Sequence, residues 1–183
     1  MGYTAGMNTV LTQSFFQRPV LTVAPDLLGK YLVVTLKDEQ QAYMITDVEA
    51  YDGETDLACH AAKSRTPRTE VMYGAAGHWY VYLIYGLHHI INIVTGDVDY
   101  PAAVMIRGVE GIDGPGRVTK TLGITRDINT LPSTPKSGIW VEDRGVAVPE
   151  TVIKTAPRIG VTYAGEWADK PWRFSLRHDQ LMS

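Results

Sequence analysis

Apolar and polar positions alternate along much of this chain, and the alternation predicts strands more often than helices. Tyr31 to Leu36 is a β-rich run, Asp38 to Gln41 is polar enough to turn, and Ala42 to Tyr51 reads as a second strand, which together predict a hairpin. Gly77 to Tyr85 is rich in aromatic and β-branched residues. Gly86 can supply the positive φ of a tight turn, and Ile90 to Thr95 returns as the partner strand. Ala103 to Glu110 is a further apolar strand, with Ile139 to Glu142 and Arg158 to Val161 as short ones. Helical signals are few. Ala24 to Gly29 reads as a short helix closed by Gly29, and Gly114-Pro115-Gly116 precedes a helical stretch from Arg117 to Leu122. Ile124 to Ser137, with two prolines and several Thr and Ser residues, reads as a surface loop. Hairpins outnumber crossover helices, so the expected fold is α+β, on a curved antiparallel sheet with flanking helices.

Length and composition narrow this picture. The 183 residues suit one domain spanning 1–183, with 1–13 expected as a mobile N-terminal segment. An apolar share of 45% with 20% charged residues argues against disorder. No window approaches about 18 uninterrupted apolar residues, so no membrane span is expected. Met1 to Gln13 lacks the charged and apolar regions of a secretory signal. The single Cys59 excludes an intramolecular disulfide and favours a reducing compartment, so a cytoplasmic protein is expected.

A formal charge of -3 gives no whole-chain reason to expect a polyanion partner. The charges are unevenly placed, however. Residues 1–56 hold three basic and eight acidic side chains, a net of -5, and residues 57–183 hold fourteen and twelve, a net of +2. Leu57 to Asn92 carries Lys63, Arg65 and Arg68 against Glu70 alone, and Lys154 to Arg177 carries five basic residues against Glu166 and Asp169. A basic face can therefore sit on an acidic protein. Such a modest face implies few phosphate contacts and loose, salt-sensitive non-specific binding.

Three segments could carry chemistry. In Asp47-Val48-Glu49-Ala50-Tyr51, strand alternation puts Asp47, Glu49 and Tyr51 on one face. That is either a solvated polar face or a general base, Glu49, beside a ring. In Trp79 to Tyr85, alternation puts Tyr80, Tyr82 and Ile84 on one face and Trp79, Val81, Leu83 and Tyr85 on the other. An aromatic strand of this kind usually builds sheet core. Tyr85, beside the Gly86 turn, also suits a wedge between stacked bases. Arg65-Thr66-Pro67-Arg68 places two guanidiniums around a rigid turn, as phosphate contacts require, or is simply an exposed loop. Nucleotide-phosphate and serine-hydrolase motifs are absent, and one cysteine cannot supply the zinc-deaminase pattern. Cys59-His60 and His88-His89 lack metal-ligand spacing, so no metal is expected.

The ordered set Glu49-Ala50-Tyr51, Ala58-Cys59-His60, Arg65-Thr66-Pro67-Arg68, Tyr80 to Gly86, Ile91-Asn92-Ile93, Met105-Ile106-Arg107, Gly114-Pro115-Gly116, Arg158-Ile159-Gly160 and Ala164 to Phe174 resembles the alkyladenine (3-methyladenine) DNA glycosylase family. The likeness runs from about Leu21 to Arg177. It implies a monofunctional enzyme of base excision repair, without cofactor, acting as a monomer on double-stranded DNA holding alkylated or deaminated purines. Such enzymes flip the damaged nucleotide out of the stack. By resemblance, Glu49 is the general base that activates water, and Arg107 helps to position that water. Tyr51, His60 and Tyr82 pack on the flipped base, and Asn92 crowds the amino group of normal guanine. Tyr85 inserts into the gap from a protruding hairpin, while Arg65, Arg68 and Arg158 meet the DNA backbone. A bacterial-type, nucleoid-associated location goes with this role. Leu87-His88-His89 departs from the animal members, which carry Met and aromatic residues there. A damage-binding protein without catalysis, on the same scaffold, is the competing expectation.

Overall fold

The computed structural model describes residues 8–176. Ten strands and three α-helices make up the regular structure among them. The strands are β1 (Thr9–Val10), β2 (Tyr31–Leu36), β3 (Glu39–Asp52), β4 (Trp79–Ile84), β5 (His88–Thr95), β6 (Ala102–Val109), β7 (Ile112–Asp113), β8 (Ile139–Asp143), β9 (Ile153–Ala156) and β10 (Arg173–Leu176). The helices are α1 (Gln13–Phe16), α2 (Val20–Leu27) and α3 (Pro115–Thr121). The strands form one antiparallel sheet in the order β1-β8-β2-β3-β6-β5-β4, with β10 on β3, β9 on β10 and β7 on β6.

The long strand β3 organises the rest. Its first half pairs with β2 from Leu36↔Glu39 to Tyr31↔Met44, and its second half pairs with β10 on one side and β6 on the other. The β2–β3 turn is tighter than the expected Asp38 to Gln41. Only Lys37 and Asp38 lie between the strands, both at positive φ (50° and 64°), the backbone of a two-residue hairpin. Helix α2 buries Val20, Val23, Ala24 and Leu27, which share one helical face, and it packs on β3. The helix starts before the expected Ala24 and runs through Pro25. Gly29 follows at φ 81°.

One sequence expectation is corrected here. Arg158 to Val161 is not a strand. Pro157 just before it lacks a donor, Gly160 turns at φ 78°, and Arg158 is drawn inward to an acid. The strands of this region are instead β9 and β10. Thr9 and Val10, inside the segment expected to be mobile, pair with Asp143 and Glu142; residues 1–7 of that segment lie outside the described residues. The Ile124 to Ser137 connection does more than cover surface. Trp79 N–H donates to Leu131 C=O, Thr130 N–H to Trp79 C=O and Val81 N–H to the Asn129 side chain, so the loop closes the free edge of β4.

Candidate active site

The site is built where β3 and β6 pair. Glu49 faces Met105 across the ladder, and the register then slips, so that Asp47 opposes Gly108 and Arg107 is left without a partner. A bulge of this kind re-aims a side chain. Here it turns Arg107 towards the β3 acids, with Nη1 at 3.2 Å from Glu49 Oε1 and Nε at 3.6 Å from Asp47 Oδ2. Glu49 is fully buried. Its Oε2 accepts from the Tyr51 hydroxyl at 2.8 Å, and its Oε1 from the Ile159 amide at 2.8 Å. Burial raises the Glu49 pKa above its ordinary 4.5, and Arg107, the Ile159 amide and the Tyr51 hydroxyl oppose that rise. The result is a carboxyl group tuned upward, as a proton acceptor working near neutral pH requires. Burial, with the Glu49 charge second, pushes the Tyr51 hydroxyl well above its ordinary range, so it stays a donor.

In front of this pair lies a cleft of about 500 Å³, lined by Tyr51, His60, Arg68, Tyr80, Tyr82 and Asn92 among others. Strand β4 divides its side chains as alternation requires: Trp79 and Val81 enter the main core, and Tyr80 and Tyr82 face the cleft. His60 opens a one-turn 3₁₀ helix, His60–Ala62, and meets Tyr82 edge-on at 4.6 Å between centroids. Its Nδ1 lies 2.9 Å from the Tyr80 hydroxyl, and Arg68 Nη2 approaches its Nε2 at 3.5 Å. Burial first, then Arg68 and Lys63, lower the His60 pKa to about 4, so the ring is neutral across the physiological range. The Arg68 guanidinium also stacks on Tyr82, 4.9 Å from its centroid. Asn92 is buried and donates from Nδ2 to the Tyr80 carbonyl at 3.0 Å.

The structure thus gathers Tyr51, His60, Tyr82, Asn92, Arg68 and Arg107 around one cleft, with Glu49 buried behind it against Tyr51 and Arg107. Tyr85 reaches the same rim from the β4–β5 turn and is 91% exposed at φ 50°. Leu87 beside it is exposed as well. Arg65 stands apart, paired with Glu70 and Asp99 on the surface. Arg158 is a correction. It was expected on the DNA backbone, but its side chain is fully buried in a two-pronged pair with Asp56, at 2.6 and 2.8 Å. It ties the segment after β9 to the one after β3 and has no route to a phosphate.

Sequence reasoning also passed over contributors. Tyr80 was placed on the Tyr82 face without a role. Tyr163 lines the cleft, and the Ile159 amide, a backbone donor, carries no side-chain signal at all. Among the described residues no group of three or more His, Cys, Asp or Glu could hold a metal. Burial pushes the Cys59 thiol up to about 12, which removes it as a nucleophile at neutral pH.

A family model, Methylpurine-DNA glycosylase (MPG), matches residues 14–114 and 110–180, nearly the whole described chain. This chain belongs to the methylpurine-DNA glycosylase family. Three curated relatives share the printed name "Putative 3-methyladenine DNA glycosylase". One from Myxococcus xanthus is 48% identical over 183 residues, covering 94% of this chain and 93% of its own. Another from Methanocella arvoryzae is 45% identical, covering 95% and 96%. A third from Sodalis glossinidius is 45% identical, covering 91% and 96%. Membership joins the earlier resemblance to the cleft just described, because the methylpurine-DNA glycosylase match spans both strands that carry Glu49 and Arg107.

Proposed function

We propose that this protein is a monofunctional DNA glycosylase that hydrolyses the N-glycosidic bond of alkylated or deaminated purines flipped out of duplex DNA, leaving an abasic site. The observation that carries this reading is the buried Glu49 carboxyl, raised in pKa and held against Arg107 behind an aromatic cleft. A carboxylate there accepts the proton of an attacking water and stabilises the positive charge that develops on the sugar. Glu49 is fenced by Tyr51, Ile159 and Arg107, so the water it activates takes the place of one of these partners. A purine made cationic by alkylation leaves readily and stacks well on electron-rich rings. Tyr51, His60 and Tyr82 supply those rings, and His60, being neutral, does not repel the cation. Arg68 already occupies the Tyr82 ring, so the entering base displaces it towards the DNA.

No lysine lines the cleft among the described residues, which supports water rather than an amine as the nucleophile. Asn92 crowds the amino group of normal guanine. Tyr85 on its turn fills the gap left by the flipped base. All of these groups lie on one chain and need no second copy, which supports a single domain acting as a monomer on double-stranded DNA, and a cytoplasmic location goes with that role.

The test uses duplexes each holding one 3-methyladenine, 7-methylguanine, hypoxanthine or ethenoadenine. Wild-type protein is expected to make at least one of them alkali-labile, with no strand break before alkali. A panel that stays intact throughout contradicts the reading.

A further inference from the structure

Behind Glu49 the charges continue. Arg173 on β10 donates to the Asp47 carboxylate from Nε at 3.0 Å and from Nη2 at 2.7 Å. Asp47 in turn faces Arg107 Nε at 3.6 Å, beyond hydrogen-bond range, and that Nε is a buried donor with no partner. The far end of the same guanidinium meets Glu49 at 3.2 Å. Four charges therefore stand in a row: Arg173, Asp47, Arg107, Glu49. The bulge at Arg107 makes the row possible, since regular pairing would not leave its side chain free to turn between the two acids.

Asp47 and Arg173 line a second cleft of about 360 Å³, with Thr46, Asp113 and Arg117, and neither lines the base cleft. Arg107 lines both and is the partition between them. Beyond its through-space charge, Asp47 touches the base cleft only by way of Arg107. We infer that Asp47, clamped by Arg173, is the positioning residue that sets where Arg107 sits against Glu49, and so sets the readiness of the catalytic base. The inference rests on the glycosylase reading for its catalytic meaning, but its physical content is testable without it.

Two influences of Asp47 on Glu49 oppose each other. Its negative charge directly favours the protonated form of Glu49, while its hold on Arg107 keeps a cation beside Glu49 and favours the charged form. Glu49 also accepts from the Tyr51 hydroxyl and the Ile159 amide and feels the charges of Arg158 and Arg173 and the Tyr82 hydroxyl at longer range, while Asp113 and Arg117 face Asp47 across the second cleft. With Asp47→Asn, nothing charged holds the Nε end of Arg107, the guanidinium draws away and Glu49 loses its nearest cation. If positioning dominates, the Glu49 pKa rises. If Asp47 is a bystander charge, the pKa falls.

The experiment titrates ¹³C-labelled glutamate carboxyls by NMR in wild type, Asp47→Asn, Asp47→Glu and Arg173→Lys, with Glu49→Gln identifying the resonance. The expected result is an upward shift of Glu49 in Asp47→Asn, a smaller one in Arg173→Lys and partial recovery in Asp47→Glu. Base release then shows kcat lowered about 10- to 100-fold in Asp47→Asn, with its acid limb moved to higher pH and KM little changed. A downward or absent Glu49 shift overturns the inference. So does an equal loss of thermal stability and kcat with the acid limb unmoved, the mark of a merely structural residue. Wild-type protein that releases no base from any lesion sinks the glycosylase reading instead, and the Glu49 titration still decides what Asp47 does.

Discussion

Two arginine–carboxylate pairs are buried on neighbouring segments of this protein, and they are built differently. Arg158 and Asp56 are close to saturated, with only the buried Arg158 Nε left without a partner. Two short bonds join them, Arg158 also donates to the Ala50 and Trp167 carbonyls, and Asp56 also accepts from the Asp52 and Ala58 amides. Arg107 and Glu49 meet at one longer contact, and Arg107 is shared with a second acid that it does not quite reach. A pair that meets nearly all its own needs locks two loops together and has nothing to offer a substrate. A pair left loose, beside a cleft and with a carboxyl pushed up in pKa, keeps capacity for a water and a proton. The first is architecture and the second is the pair that the proposed reaction uses, although a sequence presents both as an arginine and an acid far apart.

Exchanging the effects of the two pairs is the severest way to break this distinction. Glu49→Gln is expected to slow base release about 100- to 10,000-fold while leaving the thermal transition and lesion binding largely intact. Arg158→Ala is expected to cost about 3–5 kcal/mol of folding stability, because it strands the buried Asp56, and should show mainly in denaturant melts. A Glu49 variant that unfolds while an Arg158 variant folds normally without releasing base would reverse the assignments. A smaller effect belongs to the rim. Tyr85→Ala should weaken binding to lesion duplex by about 1–3 kcal/mol in a titration, with little change in the melting temperature, since Tyr85 is exposed. Smaller still is Tyr51→Phe. It removes one hydrogen bond that holds the Glu49 pKa down, so the pKa rises further. A base must be deprotonated to act, so the acid limb of base release should move to higher pH by an amount worth about 1 kcal/mol.

Much of this contrast was legible in the sequence, and the part that was not has a physical cause. The β2–β3 and β4–β5 hairpins announce themselves by alternation and by turn residues. The common face of Asp47, Glu49 and Tyr51, and the split of β4 between core and cleft, follow from the two-residue period of a strand. The short strands β9 and β10 escaped because four residues rich in Lys, Arg, Thr and Ser carry little apolar pattern. Arg158 was misplaced because it lies in a locally basic stretch, and local charge counting reads every arginine as surface. Its partner Asp56 lies 102 residues away. The bulge that aims Arg107 and the amide of Ile159 that holds Glu49 are backbone features, which side-chain patterns do not encode.

The central claim is that Glu49, raised in pKa by burial, is the base that drives purine release. It is tested most directly by single-turnover release of free purine from a duplex with one excisable lesion, measured against pH for wild type and Glu49→Gln at saturating protein. The account predicts that the wild-type rate falls on the acid side with a midpoint above the ordinary 4.5, and that Glu49→Gln is slow with no such limb. A Glu49→Gln protein that releases base at the wild-type rate, or with the same acid limb, would contradict it.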